Sequence, residues 1–370
     1  MDAVAPSSVT EVKAPGKLYI AGEYAVVEPG YPAVLVAVDR YITVRVTPAV
    51  SDTGHITTDQ NAGSRLEWYR QGSDMLIEPD QDQFSFVLAA VRTVEEAAVA
   101  SGVPLQVFDL DITSELDDDS GRKFGLGSSA AVTVATVRAL CAHYGLELSR
   151  MEQLKLALLA STEVQRSGSG GDVAASMFGG WIAYTSFDRE WTRQQRGRRP
   201  LLELVKAQWP GLSVRRVSPP EHLRLLVGWT GSPASTSRLV GDVQSNKAVD
   251  AAWDYSTFLA ESRECVGDFV AALDADDTAG VFAGIRRNRA LLRSLGEHTG
   301  TTIETPTLRR LIESAEAHGG AAKTSGAGGG DCGIVLISRD ADIDGLLAVW
   351  ERADIRLLSL HQHLPDGEDD

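Results

Sequence analysis

Cysteine is scarce in this chain of 370 residues: Cys141, Cys265 and Cys332 are scattered and outside any CxxC spacing. That pattern offers neither a disulfide framework nor a zinc site, and it points to a reducing compartment. Basic charge is short as well, since 35 Lys and Arg stand against 51 Asp and Glu, a formal net charge of −16. Broad contact with nucleic acid or an anionic membrane needs a basic face, so neither is an expected partner, and any anion must be bound locally. No stretch reaches about 18 uninterrupted apolar residues, and the N-terminal MDAVAPSSVTEV has no basic region followed by an apolar run, so no membrane span or export signal is expected. The expected location is the cytoplasm. Also missing are the commonest nucleotide signatures: GxxxxGK[ST], GxGxxG after a first strand, and HRD or DFG.

What is present suits a two-lobed α+β protein. With 43% hydrophobic residues the chain can bury a large core, and its length suggests two domains, set here at 1–200 and 201–370. Val34 to Val38 form an apolar run, and Ile42, Val44 and Val46 then alternate with polar residues as a half-buried strand requires. Helical spacing runs from Phe84 to Ala100, a capping box joins Ser149 to Glu152, and Ser128 or Ser129 can cap a helix from about Ala130 to Tyr144 that Gly145 closes. Asp188 to Pro200 is polar and basic and reads as a surface loop, after which the lobe boundary falls. Further on, Leu223 to Trp229, Gly333 to Ser338 and Ile355 to Leu360 read as strands. Helices are expected near Asn246 to Leu273, Asp276 to Leu295, Pro306 to Gly319 and Ile343 to Glu351, and the tail PDGEDD reads as disordered.

Four segments carry chemistry. In Lys123-Phe-Gly-Leu-Gly-Ser-Ser-Ala-Ala131 two glycines allow a tight turn where a helix start presents free N–H groups, a ready site for an anion. Lys13-Ala-Pro-Gly-Lys-Leu-Tyr-Ile-Ala-Gly-Glu-Tyr24 turns at Pro15-Gly16 and presents Lys17 at the start of a strand. Ser167-Gly-Ser-Gly-Gly-Asp172 ends in a carboxylate at a predicted helix start, where an N-cap is its ordinary role. Lys323-Thr-Ser-Gly-Ala-Gly-Gly-Gly-Asp-Cys-Gly333 holds five glycines in eleven residues, so its backbone must come close to something.

In this order and spacing the four segments resemble the GHMP kinase superfamily over nearly the whole chain. The resemblance implies a ribosomal-protein-S5-like N-terminal lobe with mixed sheet and helices, a ferredoxin-like C-terminal lobe, and ATP with Mg²⁺ in a cleft. Within that family the chain is most similar to the bacterial-type phosphomevalonate kinase branch, through GEYAVVEPGYPAVLVAVDRYI, GWTGSPASTSRLV and IRRNRALL. The activity this implies is transfer of the γ-phosphoryl group of ATP to 5-phosphomevalonate, by a monomer or homodimer. The alternatives are mevalonate kinase or another small-molecule kinase of the family, a diphosphomevalonate decarboxylase, and a non-catalytic regulator that binds ATP or a metabolite.

Carried over residue by residue, the resemblance makes Lys17 and Asp172 catalytic. Lys123, Gly125, Leu126, Gly127, Ser128, Ser129 and Ala130 would hold ATP, with Ser129 on the metal. Tyr24, Ser169, Gly170, Ser235, Arg289, Ser325, Gly326 and Ala327 would bind the acceptor. Two departures stand out. Thr324 replaces the small residue or proline usual before Ser-Gly-Ala-Gly-Gly-Gly, and Ser161 stands where mevalonate kinases carry a magnesium-binding glutamate, Glu163 being close in sequence but on another helix face.

Overall fold

The computed structural model describes residues 9–365 apart from 61–62, 78–81, 119–120, 233–234 and 247–252; the tail residues 366–370, expected to be disordered, lie outside the described residues. The first half contains β1 (Thr10–Ala21), β2 (Pro32–Pro48), β3 (Thr53–Thr58), β4 (Arg65–Gln71), β5 (Asp74–Ile77), α1 (Ser85–Ala100), β6 (Phe108–Ser114), α2 (Ser128–His143), α3 (Arg150–Val164), α4 (Gly171–Phe178), β7 (Trp181–Thr185), α5 (Arg189–Arg196), α6 (Leu201–Lys206) and β8 (Ser213–Val217). The second contains β9 (Leu223–Trp229), α7 (Thr236–Asn246), α8 (Tyr255–Asp274), α9 (Thr278–Thr299), α10 (Pro306–Ala317), β10 (Ala321–Thr324), β11 (Cys332–Ser338), α11 (Ile343–Glu351) and β12 (Arg356–Leu358).

The long strand β2 organises the first sheet. Ala33 to Val38 are all buried, because helices cover one face and the second half of the chain approaches the other. From Ile42 onward burial alternates, as one-sided cover requires. β1 lies along one edge of β2, while β6 and β7 share the other, giving the order β5-β4-β3-β6-β2-β7-β8 with only β3 and β6 parallel. The second sheet is antiparallel in the order β10-β11-β9-β12. Its core of Leu226, Leu311, Ile312, Val335, Ile337, Leu346 and Trp350 is formed with α10 and α11.

Several expectations need correction. The polar stretch after Asp188 is not a loop but the helix α5, because the Asp188 carboxylate accepts the Trp191 N–H at 2.9 Å and Thr192 turns inward. β8 pairs with β7, so the first sheet continues past residue 200 to Val217. At α2 the cap position belongs to Gly127, in the left-handed region at φ 82°, and both candidate serines fall in the first turn. Gly170, at φ 79°, takes the corresponding place before α4, so Asp172 is no cap. The helix expected from Asn246 starts instead at Tyr255, and Asn246 ends the unforeseen α7. Ile355 to Leu360 contributes only the three residues of β12. The Ser149–Glu152 capping box forms in full.

Replacing Asp188 by Ala should lower thermal stability by about 0.5–2 kcal/mol, the usual loss for a cap. Amide exchange should accelerate across residues 189–196 alone; an unchanged exchange pattern there would mean the cap does not hold α5.

Candidate active site

β1 brings the first segment to the centre of the molecule. Pro15 and Gly16 do not start the strand but form a bulge within it. Gly16 lets the 123–130 loop approach, since a Cβ there would meet Leu126 O at 3.1 Å and Leu116 Cδ2 at 2.9 Å. The Lys17 N–H donates to Leu126 O at 2.8 Å, and its ammonium reaches Gly125 O at 3.4 Å. Gly127 packs on the Lys17 stem so closely that a Cβ would lie 2.7 Å from Cε. The lysine and the glycine turn are therefore one unit. Behind them α2 begins, with Ala131 N–H donating to Gly127 O at 3.1 Å, so the amides of Ser128, Ser129 and Ala130 precede the first intrahelical bond. Unpaired amides at a helix start beside a lysine are a donor set that suits an anion, even in an acidic protein.

The second half of the chain closes the other wall. Lys323, with 0% exposure, forms an ion pair with Glu23, which is 3% exposed, and also donates to Thr324 O at 2.6 Å. Burial drives the Lys323 pKa below its ordinary value, and the Glu23 carboxylate opposes that shift. Beside the pair, Ser325 Oγ accepts from Tyr19 N–H at 3.0 Å and donates to Tyr19 O at 2.9 Å. Tyr24 donates its hydroxyl to Ala327 O at 2.6 Å, while its backbone is held at φ 63°, a conformation that side-chain-bearing residues seldom adopt. Gly328 and Gly329 fold the third segment onto Ile303: Gly329 N–H donates to Ile303 O at 2.9 Å, and a Cβ on Gly328 would sit 2.3 Å from that oxygen. Cys332 donates its thiol to Phe124 O at 3.1 Å, and the Phe124 and Trp229 rings meet edge to face at 5.3 Å.

These walls enclose a cleft of about 380 Å³. Lys17, Lys123, Gly125, Leu126, Gly127, Ser128, Ser129, Tyr24, Ser169, Gly170, Asp172, Ser325, Gly326 and Ala327, all from the four segments, line it together with Ser235. Two expected residues do not. Ala130 is buried beneath the turn, and Arg289 is bound away from the cleft by Glu304, which accepts from its Nε at 2.8 Å and its terminal nitrogen at 3.0 Å. The sequence offered no warning, because the partner lies fifteen residues further along the chain.

Among the lining residues that sequence reasoning overlooked are Tyr19, Glu23 and Asp331. Tyr19 lies two positions after Lys17 and so on the same strand face, a signal that was available. Asp331 packs on the glycine turn, its carboxylate 2.9 Å from where a Cβ of Gly125 would stand. From α3 the cleft receives Ser161, Thr162 and Gln165, while Glu163 lines a separate surface groove with Arg92. Among the described residues no three His, Cys, Asp or Glu side chains come together as a metal cluster. The oxygen donors facing the cleft, hydroxyls of Ser128 and Ser129 and carboxylates of Asp172 and Asp331, suit a hard cation that takes its other ligands from phosphate and water.

A glycine turn at a helix start, a lysine against it and a carboxylate lining the same cleft suit phosphoryl transfer to a small molecule, and the chain belongs to the GHMP kinase family. Residues 85–180 match the GHMP kinases N terminal domain and residues 269–355 the GHMP kinases C terminal domain. Within the family it is similar to the phosphomevalonate kinase of Streptomyces sp. (strain CL190), 45% identical over 94% of this chain and 95% of that one. The mevalonate kinase of Thermococcus sibiricus is 30% identical over 87% of each chain. The crystal structure of Streptococcus pneumoniae phosphomevalonate kinase in complex with phosphomevalonate and AMPPNP superposes with a TM-score of 0.82 at 31% identity, covering 95% of this chain and 99% of that one. No helix among the described residues is long and apolar enough to cross a membrane.

Lys323→Met strands Glu23 in a buried site and should destabilise the protein by about 3–5 kcal/mol, whereas Glu23→Gln combined with Lys323→Met should recover much of that loss. Thermal midpoints of the three proteins decide it: a double variant no better than the single one would show that packing, not the unpaired charge, is at fault.

Proposed function

We infer that the chain is an ATP-dependent phosphotransferase that moves the γ-phosphoryl group of ATP onto the phosphate of (R)-5-phosphomevalonate, giving 5-diphosphomevalonate and ADP. The observation that carries the reading is the fusion of Lys17 with the Gly125–Gly127 turn in the cleft that Asp172 also lines. The near full-length similarity to a phosphomevalonate kinase supports this choice of acceptor within the family.

In this reading the backbone N–H groups at the start of α2 cradle the nucleotide's phosphates, and Lys123 at the cleft rim adds positive charge. Mg²⁺ would be held by the Ser129 hydroxyl and by phosphate oxygens, and when bound it neutralises charge on those phosphates. Lys17 lies where donor and acceptor phosphates must meet, and there it offsets their mutual repulsion and the charge of the transferring group. Ser169, Gly170, Ser235, Ser325, Gly326 and Ala327 shape the acceptor side, and the bond from Tyr24 to Ala327 O fixes that wall. The acceptor is a phosphate monoester with a second pKa of about 6, so it is already largely ionised at neutral pH. Asp172 therefore orients Lys17 and the acceptor and need not remove a proton.

A coupled ADP-release assay with mevalonate, 5-phosphomevalonate, homoserine and galactose, with carbon dioxide followed alongside, tests the reading. Turnover should appear with 5-phosphomevalonate and no carbon dioxide should form; phosphorylation of mevalonate instead would overturn the choice of acceptor. Lys17→Met should cost roughly 100-fold or more in kcat, the scale of losing one charge-stabilising donor. Asp172→Asn should be impaired but keep a pH–rate profile without a carboxylate limb, so a residual rate that rises only at high pH would restore a base role.

A further inference from the structure

Tyr19 lines the cleft, is bound on several sides and has had no role so far. From near the end of β1 it touches both the third segment and the Ser167–Asp172 segment. Its backbone is bound twice by Ser325, its hydroxyl meets Ser169 Oγ at 2.9 Å, and its ring lies 5.4 Å from the Lys17 ammonium, measured to the centroid. Gly171 carries no side chain because one would collide with the Tyr19 hydroxyl, a Cβ there falling 2.7 Å from it. Ser169 is itself fixed: its carbonyl accepts from the Tyr184 hydroxyl at 2.7 Å and the Ser186 hydroxyl at 3.1 Å, and its Oγ accepts from Gly171 N–H at 3.3 Å.

Counting hydrogens gives the consequence. Tyr19 and Ser169 have one hydroxyl hydrogen each, and their mutual bond uses one. Among the described residues no protein acceptor takes the other. Gly171 already donates to Ser169 Oγ, so beside its remaining lone pairs the pair has one O–H hydrogen left to offer the cleft. Burial first, and the Asp172 carboxylate next, raise the Tyr19 pKa well above its ordinary value, so the hydrogen stays in place. A neutral donor beside Lys17 is matched to an anionic oxygen.

We propose that Tyr19 is a positioning residue for the acceptor, which with Ser169 aims one hydroxyl hydrogen at the acceptor's phosphate as Lys17 draws it toward the nucleotide. This rests on the functional reading above and adds to it the group that orients the acceptor's reacting end. The bond breaks no covalent link and moves no proton; it fixes an oxygen, so its loss falls on acceptor binding and alignment, not on ATP.

The test is a double-variant cycle of Tyr19→Phe, Ser169→Ala and both together, with kcat and KM measured separately for 5-phosphomevalonate and ATP and thermal midpoints recorded for each. Tyr19→Phe keeps the ring over Lys17 and removes only the hydroxyl. The expected result is a fall of roughly 10-fold or more in kcat/KM for the acceptor, the scale of a hydrogen bond to a charged group, with the ATP KM within about two-fold of wild type. The double variant should be no worse than the poorer single one, because the two hydroxyls deliver a single donor. Losses that multiply, an acceptor kcat/KM unchanged in Tyr19→Phe, or equal losses for ATP and acceptor with a lowered midpoint would each overturn the proposal. Wild-type turnover of 5-phosphomevalonate is measured first; its absence would overturn the functional reading itself, while normal wild-type turnover with unaffected variants would overturn only the role of Tyr19.

Discussion

Between the two halves of the chain, wholly out of water, the Lys323 ammonium meets the Glu23 carboxylate. Taking both charges from water costs several kcal/mol for each ion, and their attraction does little more than offset it, so the pair is weak as a stabiliser and strong as a constraint. Either group without the other is an uncompensated buried charge, which forbids most displacements of one wall against the other. What the constraint holds is the register of the first and third segments: one residue beyond Glu23 is Tyr24, bound to Ala327, and two beyond Lys323 is Ser325, bound to Tyr19. The glycines around them contribute close approach and little stiffness of their own. The stiffness comes from side chains that cannot leave their partners.

Charge is arranged with the same economy. A chain of net charge −16 has no general attraction for phosphates, so its cleft relies on short-range donors: N–H groups at the start of α2, two lysines, and hydroxyls. Lys17 is kept within reach of Gly125 O, and its stem is fixed by Gly127, so its position is set before any ligand arrives. Such preorganisation removes the reorganisation that a solvated lysine would undergo in the transition state. Asp331 and Asp172 line the same space, and carboxylates beside phosphates are tolerable only with cations between them, so in the proposed reaction the lysines would share that task with any bound metal ion.

Most of the site was legible in the sequence, because glycine clusters and charged residues at fixed spacing mark places where backbone must approach backbone or ligand. Less legible was anything decided by distant partners. Nothing within IRRNRALL says that Arg289 is bound by Glu304. The composition of DREWTRQQRGRRP is that of a loop, yet one carboxylate cap and an inward Thr192 suffice to make α5, and β8 beyond it joins the first sheet by pairing with β7. The serine-rich start of α7 read as a motif and not as a helix, for its apolar face is completed by Tyr24, Phe258 of α8 and Leu292 and Leu295 of α9, none of them local in sequence. Tyr19 was overlooked for a different reason. The two-residue period that places it beside Lys17 was in plain view, but its hydroxyl acquires meaning only when Ser169 arrives 150 residues later.

The serine at position 161 fits the same electrostatic logic. Mevalonate kinases, whose acceptor is a hydroxyl, carry a magnesium-binding glutamate at the corresponding place, whereas here α3 gives the cleft Ser161, Thr162 and Gln165. An acceptor that is itself a phosphate brings roughly −1.5 to −2 of charge into the cleft at neutral pH. Another carboxylate a few ångströms away would then repel the substrate in a medium that screens poorly, and the cost would recur in the transition state, where both phosphates are closest. Replacing that carboxylate by neutral hydroxyl and amide groups relieves the repulsion and leaves hydrogen-bonding capacity behind. In the proposed reaction a phosphate acceptor thus bears on the cleft twice, lessening the need for a base and disfavouring a further negative charge, and both follow from the acceptor's own charge.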